Sequence, residues 1–412
     1  MIPRGACPTL TNPMMTGDGL LVRLSLERPG LSAATLAEIA AAAADHGNGL
    51  IDVSARGNIQ IRGLSDLSLP LLARRIEALE ILAPDSPAIS INALAGVDPT
   101  IKGDPFSIAQ TIRHRIGASK PALHLAPKVA IVIDGGGALP LDMLAADIRL
   151  VATDGGWSLA LGGDALSAAP LAQVDDADVG TAAFLILKCI ASRGTGARAR
   201  TMVESEGLVP FISALAPIPH YPPCPMARNR VAIAVGRHRL EPDRHALGIG
   251  LPFGQVDAAT LGRLAEAAGR MEGATVRPAP RRALIVAGLT PAGAIALTYT
   301  ARKLGLIVDP ADPRLAIAAC SGQPACTSAH FDTRTLALYL ADHAHVSGPI
   351  HISGCAKGCA HPTPARLTIT GQADGIGIVA DGRAGNPPST LLPPLDPASL
   401  AARITDLLES KT

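Results

Sequence analysis

The sequence predicts an α+β protein assembled by internal duplication, and three observations carry that reading. Residues 31–64 align without a gap on residues 256–289, with ten identical positions. In each copy a leucine-rich, strand-like run (residues 20–26 and 247–253) leads into a helix with apolar residues at helical spacing, and a second β-rich segment follows. Between the copies lies a stretch with six prolines from Pro210 to Pro225.

The first helix is expected to start at the N-cap Ser32 and end near Gly47, the second to start at Asp257 and end near Gly273. The identities include Ala33, Ala34, Thr35 and Leu36 against Ala258, Ala259, Thr260 and Leu261, Arg56 against Arg281, and Gly63-Leu64 against Gly288-Leu289. Several are alanines, which any two helices share, so the equal spacing is the stronger signal. A longer block with the order strand, loop, helix, strand, loop, strand follows each copy: residues 91–117 with 123–137, then residues 317–344 with 350–371. The proline-rich stretch reads as a linker, neither helix nor interior strand. The expected divisions are 15–72, 85–208, a linker at 209–230, 241–300 and 310–405.

Composition narrows the function classes. Lys plus Arg is 36 against 35 Asp plus Glu, and only 2% of residues are aromatic, so there is neither a basic footprint nor a supply of stacking rings for nucleic acid. Arg outnumbers Lys 29 to 7, which suits bidentate recognition of carboxylates or reflects a bias toward Arg and Ala. The first twenty residues lack the continuous apolar core of a signal peptide, and no stretch has the roughly 18 apolar residues of a membrane span. A cytoplasmic location without membrane contact is the expectation. Seven cysteines, an odd number, speak for metal or redox use rather than a disulfide framework.

Four of those seven lie between Cys320 and Cys359. Cys320 and Cys326 form C-x5-C after a strand-like run, Cys355 and Cys359 form C-x3-C after another, and 28 residues separate the pairs. Four thiolates are the usual ligand set of an iron–sulfur cluster, and Gly322, Gly354 and Gly358 beside them allow close backbone approach to inorganic sulfide. A 4Fe-4S cluster is therefore expected. Structural zinc fits poorly, because its knuckles are shorter than C-x5-C; four unligated thiols are the plain alternative. Cys189 reads as a small core residue, and Cys7 and Cys224 lie in Pro-flanked loops without an assignable role.

The two cysteine pairs inside a duplicated arrangement resemble the siroheme-containing nitrite and sulfite reductases, over nearly the whole chain. "VSARGNIQIRG" resembles that family's Thr-x-Arg-x-x-x-Gln segment, which places Arg56 and Gln60 at tetrapyrrole-facing positions. "LAGVDP" is similar to its Leu-Ala-Gly-Ile-Asp stretch, and "LAPKVAIVIDG" in part to its Leu-Pro-Arg-Lys-Phe-Lys strand. The resemblance implies two ferredoxin-like half domains plus two larger α/β domains of the cluster and tetrapyrrole type. Two departures redirect it. Of the two lysines that hold the inorganic anion in that strand, Lys128 remains and the other position is Ala130; and "GCAKGCAHP" stands where the reductases usually have Cys-Pro-Asn-Ser-Cys. With the opening "RGACPTLTNPMMTGDGLLVR", these features resemble the precorrin-3B synthase branch.

That branch implies an oxygen-dependent monooxygenase of aerobic cobalamin biosynthesis, which hydroxylates precorrin-3A with lactone formation. O2 and electrons from NADH or an electron-donor protein would be its partners. A polycarboxylate substrate needs paired cations where it is desolvated, and Arg56, Gln60, Arg62, Lys102, Arg113 and Lys128 fall in the segments the resemblance turns toward the tetrapyrrole. It also implies a mononuclear non-haem iron, for which His330 with Asp332, Asp342 with His343 and His345, His351 and His361 are candidates without a selected set. No G-x-G-x-x-G joins a strand to a helix, "DGGGALP" and "RGTGARAR" having the wrong spacing, so electrons are expected through a separate donor. The rivals are a siroheme-dependent sulfite or nitrite reductase, with Cys359 bridging haem and cluster, and a non-catalytic iron–sulfur electron carrier.

Overall fold

A computed structural model describes residues 8–83, 87–223, 232–343 and 348–409. The first half of the chain begins with β1 (Met14–Thr16), β2 (Gly19–Leu24), α1 (Ala33–His46), β3 (Leu50–Val53), β4 (Ile59–Leu64) and α2 (Leu69–Glu77). It continues with β5 (Ala88–Ile91), α3 (Pro105–Gly117), β6 (Ala130–Asp134), β7 (Ala146–Thr153), β8 (Gly156–Gly163), β9 (Ala169–Val174), α4 (Val179–Ala191), α5 (Ala199–Glu206) and α6 (Val209–Leu215). The second half repeats the plan with β10 (Gly236–Glu241), β11 (Arg244–Gly250), β12 (Gln255–Asp257), α7 (Ala258–Gly269), β13 (Thr275–Ala279), β14 (Ala283–Leu289) and α8 (Pro291–Lys303). It closes with β15 (Ile317–Ala319), α9 (Thr333–His343), β16 (Ile350–Ser353), β17 (Ala365–Gln372), β18 (Gly375–Gly382), β19 (Thr390–Leu392) and α10 (Pro397–Glu409).

The repeat seen in the sequence is a repeat of register. Gln60 lies opposite Arg23 and Asp52; in the second copy Ile285 lies opposite Gly248 and Arg277, the same positions displaced by the sequence repeat. The helix starts match too: the Ser32 hydroxyl accepts the Thr35 N–H at 3.0 Å and the Asp257 carboxylate accepts the Thr260 N–H at 2.8 Å, each filling one orphan donor of a first turn. The two larger sheets, β5-β6-β7-β8-β9 and β15-β16-β17-β18-β19, share one pattern. In each, the first three strands are parallel and the last two join antiparallel.

The smaller sheets interlock. The segment leading into α7 crosses over as β12 and pairs with β3, Val256 opposite Ile51. Its repeat partner Leu31, leading into α1, bridges to Val276 of β13. Each half therefore closes part of the other's sheet, α1 packs on α7, and both halves bury a single core that includes Leu36, Ile39, Ile51 and Ile61 with Leu261, Leu264, Val276 and Val286. Apolar burial of that kind is worth about 1.5–3 kcal/mol per large side chain. The larger sheets have separate cores, one around Trp157, Ile186 and Phe211, the other around Leu336, Leu340, Ile352 and Ile369.

The proline-rich stretch departs from its reading in part. Its first residues form α6, with Phe211 and Leu215 buried. Pro210 sits in the first turn, where the missing N–H has no helical partner to lose. Cys224, like Cys7 and His345, lies outside the described residues.

The hairpin tips of the two halves meet. Arg281 N donates to Ala55 O at 3.0 Å, and a Cβ on Gly57, whose φ is +81°, would come 2.6 Å from the Ala279 carbonyl carbon. Gly57→Ala is expected to cost about 1–3 kcal/mol through left-handed strain and overpacking, seen as a lower thermal midpoint. An unchanged midpoint would mean that the tips do not hold the halves together.

Candidate functional site

The strands β15 and β16 are parallel neighbours, Ile317 opposite Ile350, and both cysteine loops leave their carboxyl ends. The carboxyl edge of parallel strands is where such sheets present ligands, because the connecting loops gather there. Cys320 follows β15 directly, and its loop turns back through Gly322, φ +63°, where a Cβ would collide with Thr333 Oγ1 at 2.3 Å. Cys326 N donates to Gly322 O at 2.8 Å and closes the turn. From the other loop, Gly354 N donates to Cys320 Sγ at 3.2 Å, so one sulfur already accepts a backbone N–H from the opposite loop. Ser353 Oγ donates to Cys355 O at 2.7 Å within the second loop, and Lys357 Nζ reaches Ser328 Oγ at 2.7 Å and ties the two loops together.

The hairpin of β1 and β2 seals one side. Thr327 donates through its N and Oγ1 to Gly17 O at 3.0 and 2.9 Å, and a side chain at Gly17 would meet Cys326 Sγ at 2.3 Å. Cys320, Cys326 and Cys355 are half-buried and Cys359 is the most exposed of the four. Its pKa is pushed up by burial and by the Cys320 and Cys355 thiols, against the pull of Arg62. Cys326 acts on it in the same direction, so Cys359 is within electrostatic reach of the other three thiols. Among the described residues no three Cys, His, Asp or Glu groups close on a point as a single ion would require. A single zinc ion needs its donors within about 2.0–2.3 Å. A cluster instead takes one thiolate at each of its separate irons, and four converging but separated thiols, one already holding an N–H···S bond, fit that demand.

The face that looks toward these loops is the polar side of the sheet β1-β2-β4-β3-β12. Alternation sends Val22, Leu24, Ile51, Val53, Ile59 and Ile61 into the shared core and leaves Arg23, Asp52, Gln60 and Arg62 on the opposite face. Arg23, Gln60, Asp52 and Gln255 lie in one row across four strands. Arg62 is closed by two carboxylates: Nε and Nη2 donate to Asp18 at 2.7 and 2.8 Å, and Nη1 donates to Asp52 at 2.9 Å. Burial alone would raise the Asp18 carboxyl, but hydrogen bonds and charge from Arg62 outweigh it and hold it below the usual range. Asp52 also accepts from Gln255 Nε2 at 2.7 Å. Arg23 is different: its Nε is buried with no hydrogen-bond partner among the described residues.

The equivalent face of β10-β11-β14-β13 is filled. Gly248, Ile285 and Ala287 stand at the positions of Arg23, Gln60 and Arg62. Ala246, Ala283, Ile285 and Ala287 pack on Ala93, Leu94 and Leu139 of the first half. Arg277, at the position of Asp52, caps Ala93 O and Ala95 O at 3.0 and 2.8 Å, and burial lowers its pKa to about 10. The two faces share a strand register and differ in chemistry.

The residues singled out in the sequence take varied places. Gln60 and Arg62 lie on the polar face. Arg56, in the β3–β4 hairpin, donates to Ala145 O, and with Arg28 and Arg113 it lines a cavity of about 90 Å³ between the first small sheet and the first large one. Arg113 Nε is buried without a hydrogen-bond partner among the described residues, and burial lowers its pKa. Lys102 is exposed and paired with Asp154, and Lys128 is exposed. Arg23, Arg282 and Arg334 were missed. Arg23 stands in a strand whose alternation marks it as the one charged residue, a readable signal; Arg282, which donates to Ala360 O in the second cysteine loop, and Arg334 have none.

Of the histidines, His330 is exposed, His343 Nδ1 bonds Tyr339 O at 2.9 Å, and Asp332 caps α9. His351 and His361 are neighbours, ring centroids 5.7 Å apart. His351 is fully buried and neither ring nitrogen has a hydrogen-bond partner among the described residues; burial, then His361 and Arg282, lower its pKa to about 4. The His361 ring meets Thr363 Oγ1 at 2.9 Å through Nε2. Two imidazoles without an accompanying carboxylate are an incomplete set for a mononuclear iron, so no step is assigned to one.

Asp18→Asn should cost about 2 kcal/mol near neutral pH, the scale of a hydrogen bond to a charged group. Because the folded Asp18 pKa is depressed, its contribution is present above the unfolded value of about 3.9 and fades as pH falls through the folded one. The stability gap between wild type and variant should therefore narrow in acid; a constant gap in denaturant titrations at several pH values would remove the ion pair from the account.

Comparison with known proteins now bears on the assignment. Residues 12–79 match the nitrite/sulfite reductase ferredoxin-like half domain. The solved structure of Mycobacterium tuberculosis NirA protein superposes with a TM-score of 0.74 at 21% identity, over 95% of this chain and 80% of that one. This shows the fold: α+β, with the duplicated nitrite/sulfite reductase-like plan. A protein named precorrin-3B synthase from Sinorhizobium sp. is 39% identical over 413 residues, covering 98% of this chain and 89% of that protein. Near-full coverage at that identity places both halves, cysteine loops included, in one lineage, and the chain belongs to the precorrin-3B synthase family.

Proposed function

We propose that the chain is a precorrin-3B synthase, a monooxygenase that hydroxylates precorrin-3A with lactone formation, using O2 and electrons that originate in NADH and arrive through a donor protein. The observation that carries this reading is the full-length relationship to a protein of that name. The site supports it: a strand face bearing Arg23, Gln60 and Arg62 lies against loops with four convergent thiols. Cys320, Cys326, Cys355 and Cys359 would hold a 4Fe-4S cluster, which when bound supplies one-electron transfer.

The chain's own residues then do the binding. Arg23 offers to a substrate carboxylate its buried Nε, which has no hydrogen-bond partner among the described residues, and a carboxylate there repays the cost of desolvating it. Arg62 is held by Asp18 and Asp52, so it orients the face and presents net charge only weakly. Arg56, Arg113 and Arg28 surround the second cationic recess and suit another carboxylate of the same macrocycle. Lys102 and Lys128 stand on exposed ground and would contribute at the rim. With Ala130 in place of a second lysine, the strand that would grip a small inorganic anion has only Lys128, which favours an organic substrate over sulfite or nitrite.

Anaerobically prepared protein incubated with precorrin-3A and then given oxygen and reductant should yield a product heavier by one oxygen atom in mass spectrometry; an unaltered substrate would overturn the reading. Single Cys→Ser changes at the four positions should remove most iron and acid-labile sulfide, and retention of both would end the cluster assignment. Arg23→Gln should weaken precorrin-3A binding about tenfold, the loss of about 1.4 kcal/mol, while Lys128→Ala should change it less than about threefold. An equal effect from both would mean the polar face is not the substrate's seat.

A further inference from the structure

Arg334 is a cation without a hydrogen-bonded carboxylate among the described residues, Asp52 and Asp332 acting on it only from a distance. It follows Thr333, which is fully buried and donates to Cys320 O at 2.7 Å, with its hydroxyl 3.9 Å from Cys320 Sγ. Helix α9 thus begins against the first cysteine. The Arg334 guanidinium lies over the Phe253 ring, 5.9 Å from its centroid, and Phe253 is held at φ +56°, a conformation bulky residues rarely adopt. Nη1 comes no closer than 3.5 Å to Pro252 O, and Nε is buried with no partner among the described residues.

The charged groups that face it are Asp52, Cys320, Arg62 and Asp332. Asp332 is committed to the helix start, accepting the N–H groups of Arg334 and Thr335 at 3.1 Å each and the Thr335 hydroxyl at 2.6 Å. Asp52 is held by Arg62 and Gln255. Arg62 also reaches toward a cysteine, Cys359, but Asp18 and Asp52 cancel its charge. Burial lowers the pKa of Arg334, the mark of a cation kept in a poorly solvated place. A buried guanidinium N–H without a hydrogen-bond partner is costly unless an anion meets it.

We propose that Arg334 sets the reduction potential of the cluster held by the four cysteines, its positive charge beside Cys320 stabilising the reduced form. The inference rests on the cluster assignment above. In the step concerned, a reduced flavin or iron–sulfur donor loses one electron and the thiolate-bound cluster gains one; no bond breaks and no proton moves. The added negative charge is what the guanidinium stabilises, net charge being one of the quantities that fix such potentials.

The test is a dithionite titration of the full chain, followed by electron paramagnetic resonance without substrate. Arg334→Gln should lower the equilibrium constant for electron uptake about tenfold, a midpoint about 59 mV more negative, while Arg334→Lys should stay near wild type. A Gln variant with full iron and sulfide and an unmoved midpoint overturns the inference. If the Gln variant loses its iron, Arg334→Met and Arg334→Lys decide. Retention only with Lys supports the charge requirement, a Met variant that keeps both cluster and midpoint overturns it, and loss in both makes Arg334 a packing residue and overturns it too. Wild-type protein without iron and sulfide defeats the cluster assignment itself, a separate result.

Discussion

The reciprocal exchange of strands between the two halves is the constraint on which the rest depends. Val256 pairs with Ile51 and Leu31 with Val276, so neither small sheet is complete without the other half. The shared apolar core enforces this, because α1 and α7 pack on each other as well as on the strands and bury their inner faces in one cluster. Fixing the small sheets against one another fixes the direction of their outer faces. One is thereby directed at the cysteine loops and the other at the loop around Ala93 and Leu139.

Duplication supplied two equivalent faces and the sequence then made them unequal. Ala, Gly and Ile fill one with packing contacts. Arg23, Asp52, Gln60 and Arg62 keep the other polar, where burial would be unfavourable unless something charged or hydrogen-bonding covers it. Arg62 solves this internally with two carboxylates. Arg23 and Arg334 do not, and each retains a desolvated Nε with no hydrogen-bond partner among the described residues. A macrocycle with many carboxylates and a cluster whose charge changes by one are the two kinds of partner such cations suit.

The cysteine loops are shaped by backbone as much as by sulfur. Gly17, Gly322 and Gly354 each stand where a Cβ would strike a neighbouring atom at 2.5 Å or less. Close approach of this kind brings the hairpin of the first half, the helix α9 and the second loop onto the thiols at once. The Gly354 N–H to Cys320 Sγ bond shows the result, a sulfur already engaged by the opposite loop.

The sequence by itself determined the α+β plan, the duplication and the four cysteines, because these are written in local spacing: helix periodicity, caps at Ser32 and Asp257, and C-x5-C with C-x3-C. It misjudged α6 because a proline in a first turn looks like a breaker until the helix start is known. It marked Gln60 and Arg62 for the site, but not that Arg62 is closed by Asp18, 44 residues away. Nor could it show that Arg23 lacks a hydrogen-bond partner at its Nε among the described residues, that Lys102 and Lys128 are exposed, or that Arg334 follows the Thr333 that bonds Cys320 O. Those facts are distances between groups remote in the chain. Only the packing of the halves decides them, since a charge's role depends on which opposite charges and how much water the fold leaves beside it.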